Sequence, residues 1–208
     1  MKKCLLAVLV CFFLGISCHA EVVVSTFGPN YAVGDWTWVI TAAGRYPEAM
    51  GVPFTPSHDT GLMKIGLGFY TYTANSSLNI ELTTDNGGSP GTILQSWSVI
   101  LPCIAYPADP CYETLFPNGN TALLSGTQYW IFVSAGDMDT DVGWFSNPMD
   151  YENTIAFNNG QGWYEVTENV PTFDVIGTGA TTPEPSCLIL LATGLAGGIV
   201  SRWKNRLP

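Results

Sequence analysis

Three aspartates at alternate positions are the sharpest candidate for a chemical site in this chain. Asp137, Asp139 and Asp141 would present their carboxylates along one side of an extended loop, and carboxylate oxygens are the ligands that calcium prefers. An EF-hand loop counted from Asp137 needs glycine at its sixth position and glutamate at its twelfth, where this sequence has Val142 and Pro148. Two interpretations therefore stay open, a calcium site of another type and an acidic loop that faces solvent.

Exposed aromatic rings would offer a second kind of site, because a flat ring can stack on the apolar face of a sugar. The chain contains 7 tryptophans and 9 tyrosines. Trp163 and Tyr164 follow directly on the turn-forming sequence 158–162, which predicts an exposed pair available to a carbohydrate ligand. Aromatic residues also build the cores of β-sandwiches, so a packing role is the alternative for the aromatic set as a whole.

Evidence for catalysis in the sequence is weak. Neither the zinc-binding pattern H-E-x-x-H nor the phosphate-binding loop occurs. Between residues 21 and 182 the single histidine is His58, which cannot form a metal cluster by itself. The many acidic residues allow carboxylate pairs of the kind used by glycosidases, but a sequence does not give their distances. We therefore predict a non-catalytic domain, with glycan hydrolysis as the minor alternative.

The C-terminal 26 residues have the layout of a membrane segment with a flanking motif. Pro183, Glu184 and Pro185 precede an apolar run at residues 187–200. Three basic residues follow that run, namely Arg202, Lys204 and Arg206. A helix over residues 186–203 would reach about 27 Å, against a hydrocarbon thickness of about 30 Å. The basic end predicts a single transmembrane helix with its C-terminus in the cytoplasm.

This ordered combination resembles the PEP-CTERM sorting signal of Gram-negative bacteria. The resemblance implies that an exosortase, a membrane protease-transpeptidase, recognises Pro183, Glu184 and Pro185 and cuts near them. The basic end departs from the usual tight arginine cluster, because Trp203 and Asn205 interrupt it. An ordinary single-span anchor without processing is the alternative.

The N-terminus predicts a secretory signal peptide that signal peptidase removes. Lys2 and Lys3 supply the positive start, residues 5–16 the apolar stretch, and small residues at 18 and 20 the cleavage site before Glu21. The expected path is export, transient attachment to the inner membrane by the C-terminal helix, and delivery to the cell surface or the extracellular space.

Two cysteines, Cys103 and Cys111, remain between residues 21 and 182. An isolated pair in an oxidising compartment predicts a disulfide, which would contribute about 2.5 kcal/mol by closing a short loop. A catalytic thiol is the alternative, although His58 is the one histidine left to act as its base.

Charge restricts the partners of the exported part. The whole chain has 7 basic and 17 acidic residues, so 7 − 17 = −10. Residues 21–182 retain only Arg45 and Lys64 and lose only Glu184 from the acids, which gives 2 − 16 = −14. Such a surface repels phosphates, so nucleic-acid binding is excluded as a function class. Calcium and neutral extracellular polysaccharide remain compatible partners.

The elements that would position these residues are predicted to be strands. Apolar and polar residues alternate with period two, turn signals recur about every ten residues, and no window shows a helical apolar stripe. The strands are predicted at 22–24, 36–40, 62–72, 78–83, 93–101, 128–134, 143–146, 154–158, 162–167 and 172–176. The pattern favours an antiparallel β-sandwich or jelly roll over residues 21–178, with a linker at 179–182.

Two stretches carry a second resemblance. Residues 81–94, with the turn sequence 85–91, and residues 124–134 are similar to a hairpin and a core strand of exported bacterial "choice-of-anchor" domains, type R in particular. The resemblance implies a β-sandwich outside the cell and brings no catalytic residues. We therefore expect an exported surface or matrix protein with a structural or adhesive role, the alternative being a carbohydrate- or calcium-binding module.

Overall fold

The computed structural model describes residues 20–42, 49–102 and 110–179 of the chain. In these residues the fold is all-β, with thirteen strands, one short 3-10 turn at Pro29–Tyr31 and no α-helix. No helix within the described ranges is long and apolar enough to cross a membrane. The predicted signal peptide and the C-terminal transmembrane helix lie outside the described residues.

The strands follow one another along the chain with short connections. They are β1 (Ala20–Ser25), β2 (Thr37–Thr41), β3 (Ala49–Phe54), β4 (Thr60–Thr71), β5 (Ser77–Asp85), β6 (Pro90–Ile100), β7 (Cys111–Leu115), β8 (Ala122–Leu123), β9 (Tyr129–Ala135), β10 (Asp141–Phe145), β11 (Glu152–Asn158), β12 (Trp163–Asn169) and β13 (Phe173–Thr178). Together, Ala20–Thr178 form one compact unit.

Two antiparallel sheets enclose a single apolar core. Sheet A has seven strands in the order β1-β13-β4-β10-β2, with β7 and β8 also paired to β4. Sheet B has six strands in the order β12-β11-β3-β9-β5-β6. Large buried side chains of both sheets meet between them, among them Phe69, Trp144, Ile80, Leu82 and Val133. The predicted β-sandwich is confirmed.

Strand alternation explains which side chains enter this core. In β5, Leu78, Ile80 and Leu82 are fully buried, while Asn79 and Glu81 between them are only partly buried. Each fully buried aliphatic side chain of this kind contributes about 1.5–3 kcal/mol. Burial of one face therefore fixes the register of the strand, since a slip of one residue would expose all three.

Three strands were missed by sequence patterning. Every residue of β3 is buried, so the alternating signal is absent there, and Gly51 and Pro53 interrupt its apolar character. The strands β7 and β8 are short, and they pair with residues 65–69 and 60–61 of β4, respectively. The strands predicted from the sequence all occur, with somewhat different ends.

Candidate functional site

Trp163 and Tyr164 begin β12, the edge strand of sheet B, and point to opposite faces of it. Tyr164 lies opposite Phe157, a core residue, and stacks on its ring with the centroids 5.6 Å apart. Trp163 is on the outer face, where its ring meets Phe132 at 5.4 Å, edge to face. Both side chains are partly exposed, 36% and 43% respectively. The structure therefore does not bring them together into one surface, and Trp163 is the member on the outer face.

The turn between β5 and β6 folds over the outer face of sheet B, and Asp85 anchors it. Asp85 Oδ1 accepts hydrogen bonds from Trp130 Nε1 at 2.8 Å and from Gln128 Nε2 at 3.0 Å. The backbone N–H groups of Gly87 and Gly88 donate to the same carboxylate, each at 3.1 Å. Both glycines have positive φ, 68° and 96°, which explains why this turn is rich in glycine.

These donors favour the ionised form of Asp85. The hydrogen bond from the Trp130 indole is the largest cause, the backbone N–H groups of Gly88 and Gly87 and the Gln128 amide add to it, and burial opposes it. The pKa of Asp85 is therefore lowered from its ordinary value of 3.8. A charged Asp85 holds the turn at neutral pH.

Close packing holds the turn against the sheet. A Cβ atom added at Gly51 would lie 2.9 Å from Pro90 Cγ in the turn and 3.2 Å from Trp130 Cε3. Trp130 is outside the core cluster between the sheets and yet has 0% exposure. A side chain larger than hydrogen at position 51 would push the turn away from the sheet.

Residues 87–91, which run from this turn into the first two residues of β6, match the pattern G-x-S-x-G. In α/β-hydrolases that pattern forms a sharp elbow between a strand and a helix and exposes a serine nucleophile. Here it joins two strands, β5 and β6, and Ser89 Oγ donates to the carbonyl of Asn86 at 3.2 Å. The structural context is that of a β-hairpin turn.

Of the three aspartates proposed as calcium ligands, Asp137 and Asp139 lie in the β9–β10 loop and Asp141 begins β10. Asp137 Oδ1 accepts a hydrogen bond from Asp139 N at 3.1 Å and contacts Thr140 Oγ1 at 2.9 Å, so this carboxylate is engaged within its own loop. Asp141 lies in the strand, where burial raises its pKa. Among the residues that the structure describes, no three acidic, histidine or cysteine side chains form a group that could hold a metal ion. Calcium binding stays a prediction without support from this loop geometry.

Glu21, His58 and Ser57 line up in the order of a hydrolytic triad. Ser57 Oγ lies 3.1 Å from His58 Nδ1, and Glu21 Oε2 lies 3.0 Å from His58 Nε2. Triad chemistry also requires an enclosed site with donors for an oxyanion. Ser57 is exposed and adjacent to its histidine in sequence. The geometry supports a surface contact between β1 and the β3–β4 loop.

The cysteine and sorting-motif predictions fall partly or wholly outside the described residues. Cys111 begins β7, is 7% exposed, and is not a free thiol. Its predicted partner, Cys103, is outside those ranges, so the pairing stays a prediction. Pro183, Glu184 and Pro185 lie outside them as well.

A buried acid on sheet A is a feature that the sequence analysis did not single out. Asp174 in β13 is 3% exposed, and its Oδ1 has no hydrogen-bond partner among the described residues. Burial raises its pKa from 3.8, and the positive charge of Lys64 opposes this effect. The signal in the sequence was a single acid within the apolar residues of the predicted strand 172–176.

Comparisons with known proteins give little for this chain. No family model matches it, and no curated protein matches it. Among solved structures, a CocE/NonD family hydrolase from Staphylococcus aureus is similar with a TM-score of 0.34 and 10% sequence identity. The likeness covers 77% of this chain and 35% of the hydrolase, so the chain spans about a third of that protein's length. A score of this size supports no statement about function.

Proposed function

We propose that residues 21–178 are an exported, non-catalytic β-sandwich with a structural or adhesive role at the cell surface or in the extracellular matrix. Signal peptidase removes residues 1–20. The tail at 183–208 then holds the protein in the inner membrane until an exosortase cuts near residues 183–185. The two terminal segments of the sequence and their resemblance to a sorting signal are the basis for this proposal.

One structural observation adds support to this proposal. The first and last strands of the body, β1 and β13, are antiparallel neighbours, and Ala20 is the direct partner of Thr178. The described body therefore begins and ends at the same end of one strand pair. Removal of residues 1–20 leaves the pairs from Glu21 opposite Gly177 to Ser25 opposite Asp174. This arrangement supports a body that needs neither terminal segment to complete its sheets.

Mass spectrometry of the exported protein tests this proposal, because the two termini report the two cleavages. We expect a chain that begins at Glu21 and ends near residues 183–185. A Pro183→Ala, Pro185→Ala double variant should accumulate in the membrane fraction with its tail intact, whereas a Thr181→Ala, Thr182→Ala linker variant should be processed as the parent is. Peptide mapping without reductant on the same sample should show Cys103 linked to Cys111. Full-length protein in the cytoplasm would overturn the proposal.

Carbohydrate binding is the second candidate function, and the placement of Trp163 favours it. Its partly exposed indole stands on the outer face of sheet B, supported by the Phe132 ring behind it. Aromatic rings of this kind give large contact area at low cost in conformational entropy. Retention of the protein by insoluble neutral polysaccharide, weakened in a Trp163→Ala variant, would support this function; equal retention of both would contradict a role for this ring.

A further inference from the structure

Sheet B is open between two of its central strands. The ladder that joins β3 to β11 ends with Gly51 opposite Ala156. Beyond that pair β3 stays paired with β9 as far as Phe54, and β11 stays paired with β12 as far as Glu152. The two strands therefore follow different neighbours and diverge, which leaves a gap in the sheet.

A cavity of about 430 Å³ occupies this gap. It is lined by Pro53 and Phe54 at the end of β3, by Thr55 directly after that strand, and by Asn153 and Thr154 on β11. Pockets that hold small molecules typically measure about 300–1,000 Å³, so the gap is large enough for one small ring. The turn that Asp85 anchors also contributes to the wall through Gly88.

Polar side chains in the lining have hydrogen-bonding capacity that the protein does not use. Tyr151 and Thr154, whose side chains carry hydroxyl groups, and Glu165, whose side chain carries a carboxylate, are among the lining residues. None of the three has a hydrogen bond or an ion pair to any residue that the structure describes. Polar groups with free donors and acceptors around a preformed cavity are characteristic of small-molecule sites.

The charge of the lining restricts the chemistry of a ligand. Glu165 is the one charged side chain among the lining residues. An ionised carboxylate offers acceptors and no donor, so it repels anions and attracts hydroxyl groups. A metal ion is disfavoured because no second acid joins Glu165 in the lining, and calcium takes six to eight oxygen ligands.

We propose that the gap between β3 and β11 binds a neutral, hydroxyl-rich ligand, a single sugar residue of a polysaccharide chain. Ring hydroxyls donate to the Glu165 carboxylate and bond with the hydroxyls of Thr154 and Tyr151. Apolar faces of the ring contact Pro53 and Phe54. This inference rests on the carbohydrate-binding candidate above and assigns its ligand to a site separate from Trp163.

The proposed sugar site can be tested on the purified protein with a glycan array. The array carries neutral and uronate-containing oligosaccharides, and the neutral glycan that binds best is then titrated. We expect binding to neutral members only. Glu165→Gln should weaken it by about tenfold or more, because a charged acceptor of ligand hydroxyl groups becomes a neutral amide, and hydrogen bonds to charged groups are the stronger ones. Thr154→Val should weaken it severalfold. Glu168→Gln removes an exposed acid of the same strand that does not line the cavity, and it should bind as the parent does.

Other binding results would contradict different parts of the proposal. Neutral binding that survives both cavity variants and is lost in Trp163→Ala would overturn the cavity site while carbohydrate binding itself stands. No binding to any neutral glycan at millimolar concentration would overturn both. Binding of uronates, or of calcium alone with loss in Glu165→Gln, would overturn the assignment to a neutral ligand. Unchanged thermal unfolding of Glu165→Gln would show that its loss of binding is not a loss of fold.

Discussion

The carboxylate of Asp85 lies 2.8 Å from the indole nitrogen of Trp130, and this hydrogen bond joins the end of β5 to the start of β9. The two strands are neighbours in sheet B. The bond therefore links them at the point where the β5–β6 turn leaves the sheet. The same carboxylate also accepts hydrogen bonds from the Gln128 amide and from two glycine N–H groups. One acid therefore positions a turn that covers a tryptophan and forms part of a cavity wall.

Trp130→Phe should destabilise the protein by about 2 kcal/mol. The substitution removes the indole donor to a charged acceptor, and such hydrogen bonds contribute about 1.5–3 kcal/mol. The free energy of unfolding measured with urea checks this. Trp163→Phe changes an indole on the outer face that has no recorded hydrogen bond to a described residue, and it should cost much less. An equal effect of both variants would contradict the role given to Asp85.

The stability supplied by Asp85 should depend on pH in the acid range. Its pKa is lowered on folding, chiefly by the Trp130 hydrogen bond, so the unfolded chain binds protons more readily than the folded one. The contribution is fully present above the ordinary value of 3.8 and is lost as pH falls through the folded pKa. Asp85→Asn should be less stable than the parent at neutral pH, and the difference should narrow below about pH 3.8. A difference independent of pH would contradict this.

The contribution of Asp174 to stability should depend on pH in the opposite direction. Burial raises its pKa on folding, so its favourable state is the protonated one, and stability is lost as pH rises through the folded pKa. Asp174→Asn keeps the shape without the buried charge and should be more stable than the parent at neutral pH. The advantage should vanish in acid. Thermal unfolding at pH 3 and pH 7 measures both directions, and a less stable variant at pH 7 would mean that the Lys64 attraction outweighs burial.

Gly51→Ala should destabilise the protein by about 1–3 kcal/mol, the usual cost of overpacking. The added methyl group would lie 2.9 Å from Pro90 Cγ and 3.2 Å from a ring atom of Trp130. Gly119→Ala is a control for backbone strain alone, because its φ of 101° is positive and no atom lies within 4 Å of its added Cβ. Hydrogen exchange should show faster opening of the 85–90 turn in Gly51→Ala only. Unchanged exchange would show that the turn does not depend on that packing.

The period-two pattern was sufficient to predict most strands and the sandwich class, because alternate burial is a local property of a strand. Leu78, Ile80 and Leu82 are the clearest case. The same rule missed β3, since a strand buried on both faces has no alternation to detect. Its neighbours in sheet B are distant in sequence, and only pairing with β9 and β11 makes it a strand.

The sequence by itself determined the all-β class, the strongly acidic charge, and the terminal segments that predict export, because composition and short-range periodicity carry these. The tertiary structure alone decided that Trp163 and Tyr164 face opposite sides, that Asp174 is buried, and that the β5–β6 turn lies over Trp130. It also decided the gap between β3 and β11. These features depend on strand register and on contacts between residues far apart in the chain, which no local pattern encodes.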